Sequence, residues 1–284
     1  MAGLSTKELK TKIRSMQSTR QITKAMEMVA SSKLRGAQER VLRSRPYFET
    51  LYAAMTDLAA ARQDSGPSPF TQTRETGTLC AVVVAGDRGL AGGYNTNVLK
   101  AVWQELEGQD CCVLPIGKKA VEFFRRRNVP ILTEEFSEAA ELTVGKCFSL
   151  AKLLSKRFLA GDFRSILLGY TNFVSVLSQS PAVLRLLPLD APAQKREAPS
   201  SLVLCEPDPE SVYNAIVPEY LGGLIYGAVC ESVASEQAAR RNAMDAATKN
   251  ADEMIEDLAL RYNRARQGAI TQEITEIVAG AESN

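Results

Sequence analysis

Residues 85–95, AGDRGLAGGYN, are rich in glycine and follow a short β-branched run. A glycine-rich turn between a strand and a helix is a common cradle for phosphate, because its backbone N–H groups point at the ligand. The spacing here is neither G-x-G-x-x-G nor G-x-x-x-x-G-K-[ST], and no acid sits where it would read a ribose. The stretch therefore reads as a tight strand-to-helix turn with Arg88 held out at its tip, and no nucleotide is expected there. Glu134 and Glu135 are the other side chains with acid–base potential. No nucleophile or metal-ligand spacing accompanies them, so a solvated loop is expected. Arg125, Arg126 and Arg127 close a predicted helix, where positive charge suits the negative end of the dipole. The chain has no histidine, which removes Ser-His-Asp and Cys-His chemistry and the commonest zinc ligand. The six cysteines (80, 111, 112, 147, 205 and 230) form no CxxC pair and read as free, mostly buried thiols of a reducing compartment. No catalytic residue, cofactor site or metal site is expected.

The elements around these residues fall into three zones. Residues 4 to about 60 read as helix. Ser5-Thr6-Lys7-Glu8 has capping-box spacing, and Leu9, Ile13, Met16, Thr23, Met26, Ala30, Ala37 and Val41 recur at helical steps. Pro46 is expected to kink or restart this helix. The stretch 62–77 reads as a solvated loop. Strands are then predicted at 78–85, 111–117, 129–133 and 165–171, with one or two edge strands in 176–189. Helices are predicted at 95–106, 118–127 and 143–161. Strand and helix alternating at this spacing imply an α/β fold with a largely parallel sheet covered by helices. Residues 190–201 read as a second linker. The expected divisions are 1–62, 76–190 and 206–284.

The final zone reads as one long helix from about Pro209 to Ala281. Met244, Ala247, Ala251, Met254 and Leu258 step as a heptad seam, and the phase then shifts by four, as in a stutter, to Tyr262, Ala265 and Ala269. About 70 residues at ~1.5 Å each would span roughly 105 Å, more than a compact domain of this size, so the helix must project and needs a partner. Charge identifies that partner. Residues 1–45 carry 11 Lys and Arg against 3 Asp and Glu, and residues 206–284 carry 6 against 14, so ends of +8 and −8 hide behind a net charge of +1. Opposite charge implies that the two terminal helices pair as an antiparallel coiled coil. The acidic partner also accounts for the basic helix without nucleic acid, since interleaved aromatics are missing. No run approaches a membrane span, and the first residues lack an apolar signal core.

Residues 12–35, KIRSMQSTRQITKAMEMVASSKLR, and most of 234–281 closely resemble the gamma subunits of F-type ATP synthases. So do GDRGLAGGYN (86–95), EPDP (206–209) and ITQEITEIVAGAES (270–283). The resemblance runs over nearly the whole chain. It implies an antiparallel coiled coil of the terminal helices plus a Rossmann-like α/β middle domain. It also implies the role of central rotor shaft, coupling ion-driven rotation of the c-ring to the conformational cycle of catalytic β subunits. The implied partners are the α/β hexamer, the ε subunit and the c-ring, with one copy of this chain per complex and no nucleic acid. Implied contacts with β are Arg266, Gln267, Arg264, Arg88, Met26 and Lys33. Glu206 and Asp208 are implied at the foot beside the c-ring and ε, and Ile274, Ile277 and Val278 in the C-terminal bearing. The resemblance further implies a non-catalytic, peripheral subunit on the cytoplasmic face of a bacterial plasma membrane, since the dithiol insertion of the chloroplast form and the mitochondrial presequence are missing. Two other readings compete: a Rossmann-type nucleotide-binding enzyme with helical extensions, and a coiled-coil scaffold without a motor.

Overall fold

The computed structural model describes residues 5–61, 68–189 and 205–282. Two long helices bracket a four-stranded sheet. Helix α1 spans Thr6–Ala61 and α5 spans Pro209–Glu282. Between them run β1 (Thr78–Val84), α2 (Tyr94–Leu106), β2 (Cys111–Ile116), α3 (Lys118–Arg125), α4 (Val144–Ala160), β3 (Phe163–Phe173) and β4 (Gln179–Leu187). The chain forms two compact units. One contains residues 1–31 and 240–284, the other residues 32–239.

In the sheet-bearing unit the strand order is β2-β1-β3-β4. β1 runs parallel to both β2 and β3, and β4 returns antiparallel to β3. The largely parallel sheet is as expected, and of the one or two edge strands expected in 176–189 the structure has one, β4. The predicted strand 129–133 is an exception: only Ile131 bridges to Val113. A five-residue stretch with Pro130 inside it, which has no N–H to donate, offers too little ladder to extend the sheet.

Side chains alternate across the sheet with period two. Cys80, Val82 and Val84 point into one core with Leu150, Leu154 and Phe158 of α4 and Val217, Leu221 and Ile225 of α5. Leu79, Ala81, Val83 and Ala85 point into the other, with Val98 and Val102 of α2 and Phe124 of α3. Burial on both faces explains why LCAVVVA has no polar alternation. Residues 62–67 of the predicted solvated loop lie outside the described residues, as does the linker 190–201. The rest of the loop departs from expectation. Ser68 and Phe70 are buried, with the Phe70 ring parallel to Phe158 at 6.5 Å. A proline-flanked phenylalanine reads as loop by composition, yet its ring has apolar area to bury.

Helix α1 passes through Pro46 without interruption. Pro46 and Leu42, whose carbonyl loses its helical donor, are both exposed, so water can replace the missing bond and the helix does not restart at Pro46.

In the other unit the terminal helices run antiparallel. The Thr23 and Thr248 hydroxyls share a buried hydrogen bond of 2.8 Å, and Arg20 pairs with Asp252. At the start of α1 the capping box forms: the Ser5 amide donates to Glu8 Oε2 at 2.8 Å and the Glu8 amide to Ser5 Oγ at 3.3 Å. The inward face of α5 differs from the sequence reading. Thr248 is buried, Ile255 is half-buried and Met254 is 53% exposed. The seam therefore runs 244, 248, 251, 255, 258, 262, 265, an unbroken alternation of four and three, and the stutter vanishes. A hydrophobic template skips Thr248 because it is polar; its partner Thr23 makes burial acceptable.

Candidate functional site

The glycine-rich turn is held by its own carboxylates and amides. Asn95 Oδ1 accepts from the Gly86 amide at 2.8 Å, and Asn95 Nδ2 donates to the Arg88 carbonyl at 3.2 Å. The Asp87 carboxylate accepts from the amides of Lys118, Ala139 and Ala140. It thus occupies the start of α3, where a phosphate would find its donors. Glu236, buried in α5, lies against Gly86: a Cβ on that glycine would sit 2.9 Å from the Glu236 carboxyl. Two carboxylates facing the turn oppose an anion there. Arg88 and Leu90 are exposed at the tip, Leu90 at 64% and with φ +60°.

Several of the other chemistry-bearing side chains have structural partners. Glu134 pairs with Arg125 at 2.6 Å, while Glu135 is exposed. Arg127 lies over the Phe123 ring at 3.6 Å and donates to the Phe123 carbonyl, close to Trp103. All six cysteines are free thiols; Cys80, Cys112, Cys147 and Cys230 are buried, and Cys111 and Cys205 are half-buried. Burial, with Cys230 nearby, pushes the Cys147 thiol up to about 12. Cys80 and Cys112 stand opposite each other in register. The hydrogen bond between them raises Cys80 and lowers Cys112.

The residues implied to touch other subunits occupy several parts of the chain. Arg264, Arg266 and Gln267 are exposed on α5. Arg261, one turn earlier, is held by Asp257 at 2.9 Å, whereas Arg264 and Arg266 have no ion-pair partner among the described residues. A side chain added at Gly268 would meet nothing within 4 Å in this chain. Ile274, Ile277 and Val278 are 56%, 65% and 52% exposed, so the last turns of α5 offer an apolar surface unused by the chain itself. Met26 is half-buried in the two-helix unit. Its antiparallel pairing places it near residue 245, about 30 Å along α5 from Arg266 at 1.5 Å per residue. The two do not share one spot. Lys33 and Glu206 are exposed. Asp208 acts locally. It caps α5, accepting from the Ser211 amide at 2.8 Å and the Ser211 hydroxyl at 2.7 Å, with Pro209 in the first helical position. These bonds hold its carboxyl below the usual range, the Ser211 amide contributing most. The spacing D-P-x-S carries this cap in the sequence and is legible as such.

No helix among the described residues is long and apolar enough to cross a membrane, and no group of three or more His, Cys, Asp or Glu there could hold a metal ion. The family model described as ATP synthase matches residues 5–283. The ATP synthase gamma chain of Ruminococcus albus is 45% identical over 280 residues, covering 95% of this chain and 96% of that protein. The chain belongs to the ATP synthase gamma-chain family. The gamma chain of Heliobacterium modesticaldum is 40% identical, with 97% of each chain covered. Among solved structures, a central-stalk chain of the Tetrahymena thermophila mitochondrial ATP synthase is 25% identical with a TM-score of 0.61, covering 80% of this chain and 99% of that one. A chain of the Euglena gracilis mitochondrial enzyme shares the fold, with a TM-score of 0.68 over 98% of this chain and 94% of that one. Gamma chains are the rotor shafts of F-type ATP synthases, a role that demands surfaces for other subunits.

Proposed function

We propose that this chain turns inside an α/β hexamer as a non-catalytic shaft, passing c-ring rotation to the catalytic β subunits. One copy serves each complex. The segments 1–62 and 206–284 form the shaft, and 76–190, with ε, forms the foot on the ring, at the cytoplasmic face of a bacterial plasma membrane. The observation that carries this reading is the band Arg264–Gln267. It presents two arginines without ion-pair partners among the described residues and an exposed glutamine on a helix that is otherwise strongly acidic. A guanidinium offers a fork of donors to a carboxylate, and a glutamine amide can bond beside it. A shaft must make and break such a contact at each step. Exposed, charge-assisted bonds of about 1.5–3 kcal/mol suit that better than a permanent buried ion pair. Arg88 at the exposed turn, Met26 and Lys33 are further β contacts in this reading. Glu206 faces the ring, while Asp208 acts there by fixing the start of α5. Ile274, Ile277 and Val278 run in an apolar bearing.

The test is an assembled complex carrying Arg266→Ala and Gln267→Ala, with subunit content checked. Assembly and helix content stay normal, and ATP synthesis or multisite turnover falls about tenfold or more if the affected step limits the rate. Normal turnover in a normally assembled complex would reduce the band to solvated surface. Failed assembly would make it a structural contact and remove the transient grip.

A further inference from the structure

In the sheet-bearing unit a cavity of about 450 Å³ opens between α1, α4 and α5. Three aromatic side chains stand in its walls. Tyr47 of α1 meets Phe148 of α4 edge to face, with centroids 6.5 Å apart, and Tyr226 and Gly223 of α5, Val144 and Ser44 also line the cavity. Gly222 lets α5 close on α4 here: a Cβ at that position would lie 2.6 Å from Phe148 Cδ1. Phe148 is therefore fixed between two rigid helices.

The mouth is cationic. Arg40 and Arg43 stand one helical turn apart on α1, both exposed and both lining the cavity. Neither has an ion-pair partner among the described residues. Arg40 also reaches the interior electrically: burial pushes the Tyr226 phenol up, Cys230 adds to this, and Arg40 partly opposes it. Two unpaired guanidinium groups above an apolar cavity are an unbalanced arrangement. The cavity size lies within the usual range of small-ligand sites, about 300–1,000 Å³. Paired guanidinium forks match a carboxylate or a phosphate equally well. A neutral apolar ligand would leave the mouth unused, and a small inorganic anion would leave the rings unused.

We propose that this cavity binds a small amphiphilic anion, with a medium-length alkyl or aryl body between Tyr47, Phe148 and Tyr226 and a carboxylate or phosphate monoester head on Arg40 and Arg43. None of the residues lining the cavity is among those assigned to β, the ring or the bearing, and ligand binding there goes beyond the rotor function.

The experiment is calorimetric titration of the full chain with decanoate, decyl phosphate and decanol, each below its aggregation limit. Decanoate or decyl phosphate binds saturably, one per chain, and the tighter of the two identifies the head group. Decanol binds at least about tenfold more weakly, the loss of a charge-assisted contact. Arg40→Gln with Arg43→Gln weakens the anion about tenfold or more; both positions are exposed, and thermal melting checks that the fold persists. Val144→Trp blocks binding by filling the cavity while both arginines remain; Val144 is 44% exposed, so the rim has room for the ring. Absence of saturable binding overturns the proposal. So does equal affinity for decanol, or wild-type affinity in both variants. Loss of decanoate binding in an assembled complex, with both arginines covered by another subunit, would assign the cavity to a protein partner and likewise overturn it.

Discussion

Ser232 and Ser235 show how a residue with no reactive role can decide local structure. The β1 ladder on β3 ends at Gly169, and Thr171 faces Pro181 of β4, which has no N–H. The Thr171 amide donates to Ser232 Oγ at 3.1 Å, and the Ser235 hydroxyl donates to the Thr171 carbonyl at 3.3 Å. Both serines are fully buried. Ser232→Ala should therefore cost about 1–3 kcal/mol, the penalty for an unpaired buried amide, measured by denaturant unfolding. A loss below ~0.5 kcal/mol would mean that water replaces the hydroxyl. Thiol chemistry gives a second expectation. Cys147 is buried and its thiol is held near 12, so almost no thiolate exists at pH 8. A disulfide reagent should modify half-buried Cys205 in the native chain and leave Cys147 untouched until unfolding, as peptide mass analysis would reveal. Modification of Cys147 at the rate of Cys205 would contradict its enclosure.

At the level of elements, the pairing of α1 with α5 and the capping of α5 carry two expectations. The Thr23 and Thr248 hydroxyls lie 2.8 Å apart and each is also within reach of a carbonyl of its own helix, so with one proton apiece one donates across the pair while the other donates to its own carbonyl. Either Thr→Val change alone should lower stability by about 1 kcal/mol, and the double change by less than the sum, a coupling that a double-mutant cycle measures. Additive losses would show that the hydroxyls act only on their own helices. The Asp208 cap depends on pH. Its folded pKa is depressed, so the stability it adds is present above the ordinary aspartate range and is lost as pH falls through the depressed value. Amide exchange at Ser211 should quicken over that acidic window, and Asp208→Ala should bring the same loosening to neutral pH. Sequence reading reaches the helices, the largely parallel sheet and the capping box, because those rest on periodicity and local chemistry. It misses Thr248 in the seam, Phe70 in the core and continuity through Pro46. Each depends on what a distant residue or the solvent supplies: a hydroxyl from Thr23, a ring from Phe158, water for a carbonyl. The implied subunit contacts are legible only through resemblance, since an exposed Arg266 has no geometric signature in a single chain.

Across the whole molecule, burial along α5 falls in steps. Between 228 and 238 most residues are buried, from 244 to 265 burial follows a seam, and from 266 to 278 every residue is exposed. Helix stability without tertiary contact is marginal. Amide exchange should therefore be slow in β1 and β3, intermediate across the seam and fast beyond 266 in the free chain, with strong slowing beyond 266 on assembly. Uniform protection of α5 in the free chain would refute this. The single tryptophan adds a means of watching these parts separately. Trp103 packs beside Phe123 and Arg127 in the sheet-bearing unit. Its emission is therefore a natural optical label for that unit alone and is silent about the paired helical ends. Far-ultraviolet dichroism sees both. If the two signals melt at different temperatures, the gap between the curves measures how independently the two units unfold, without any dye or engineered probe.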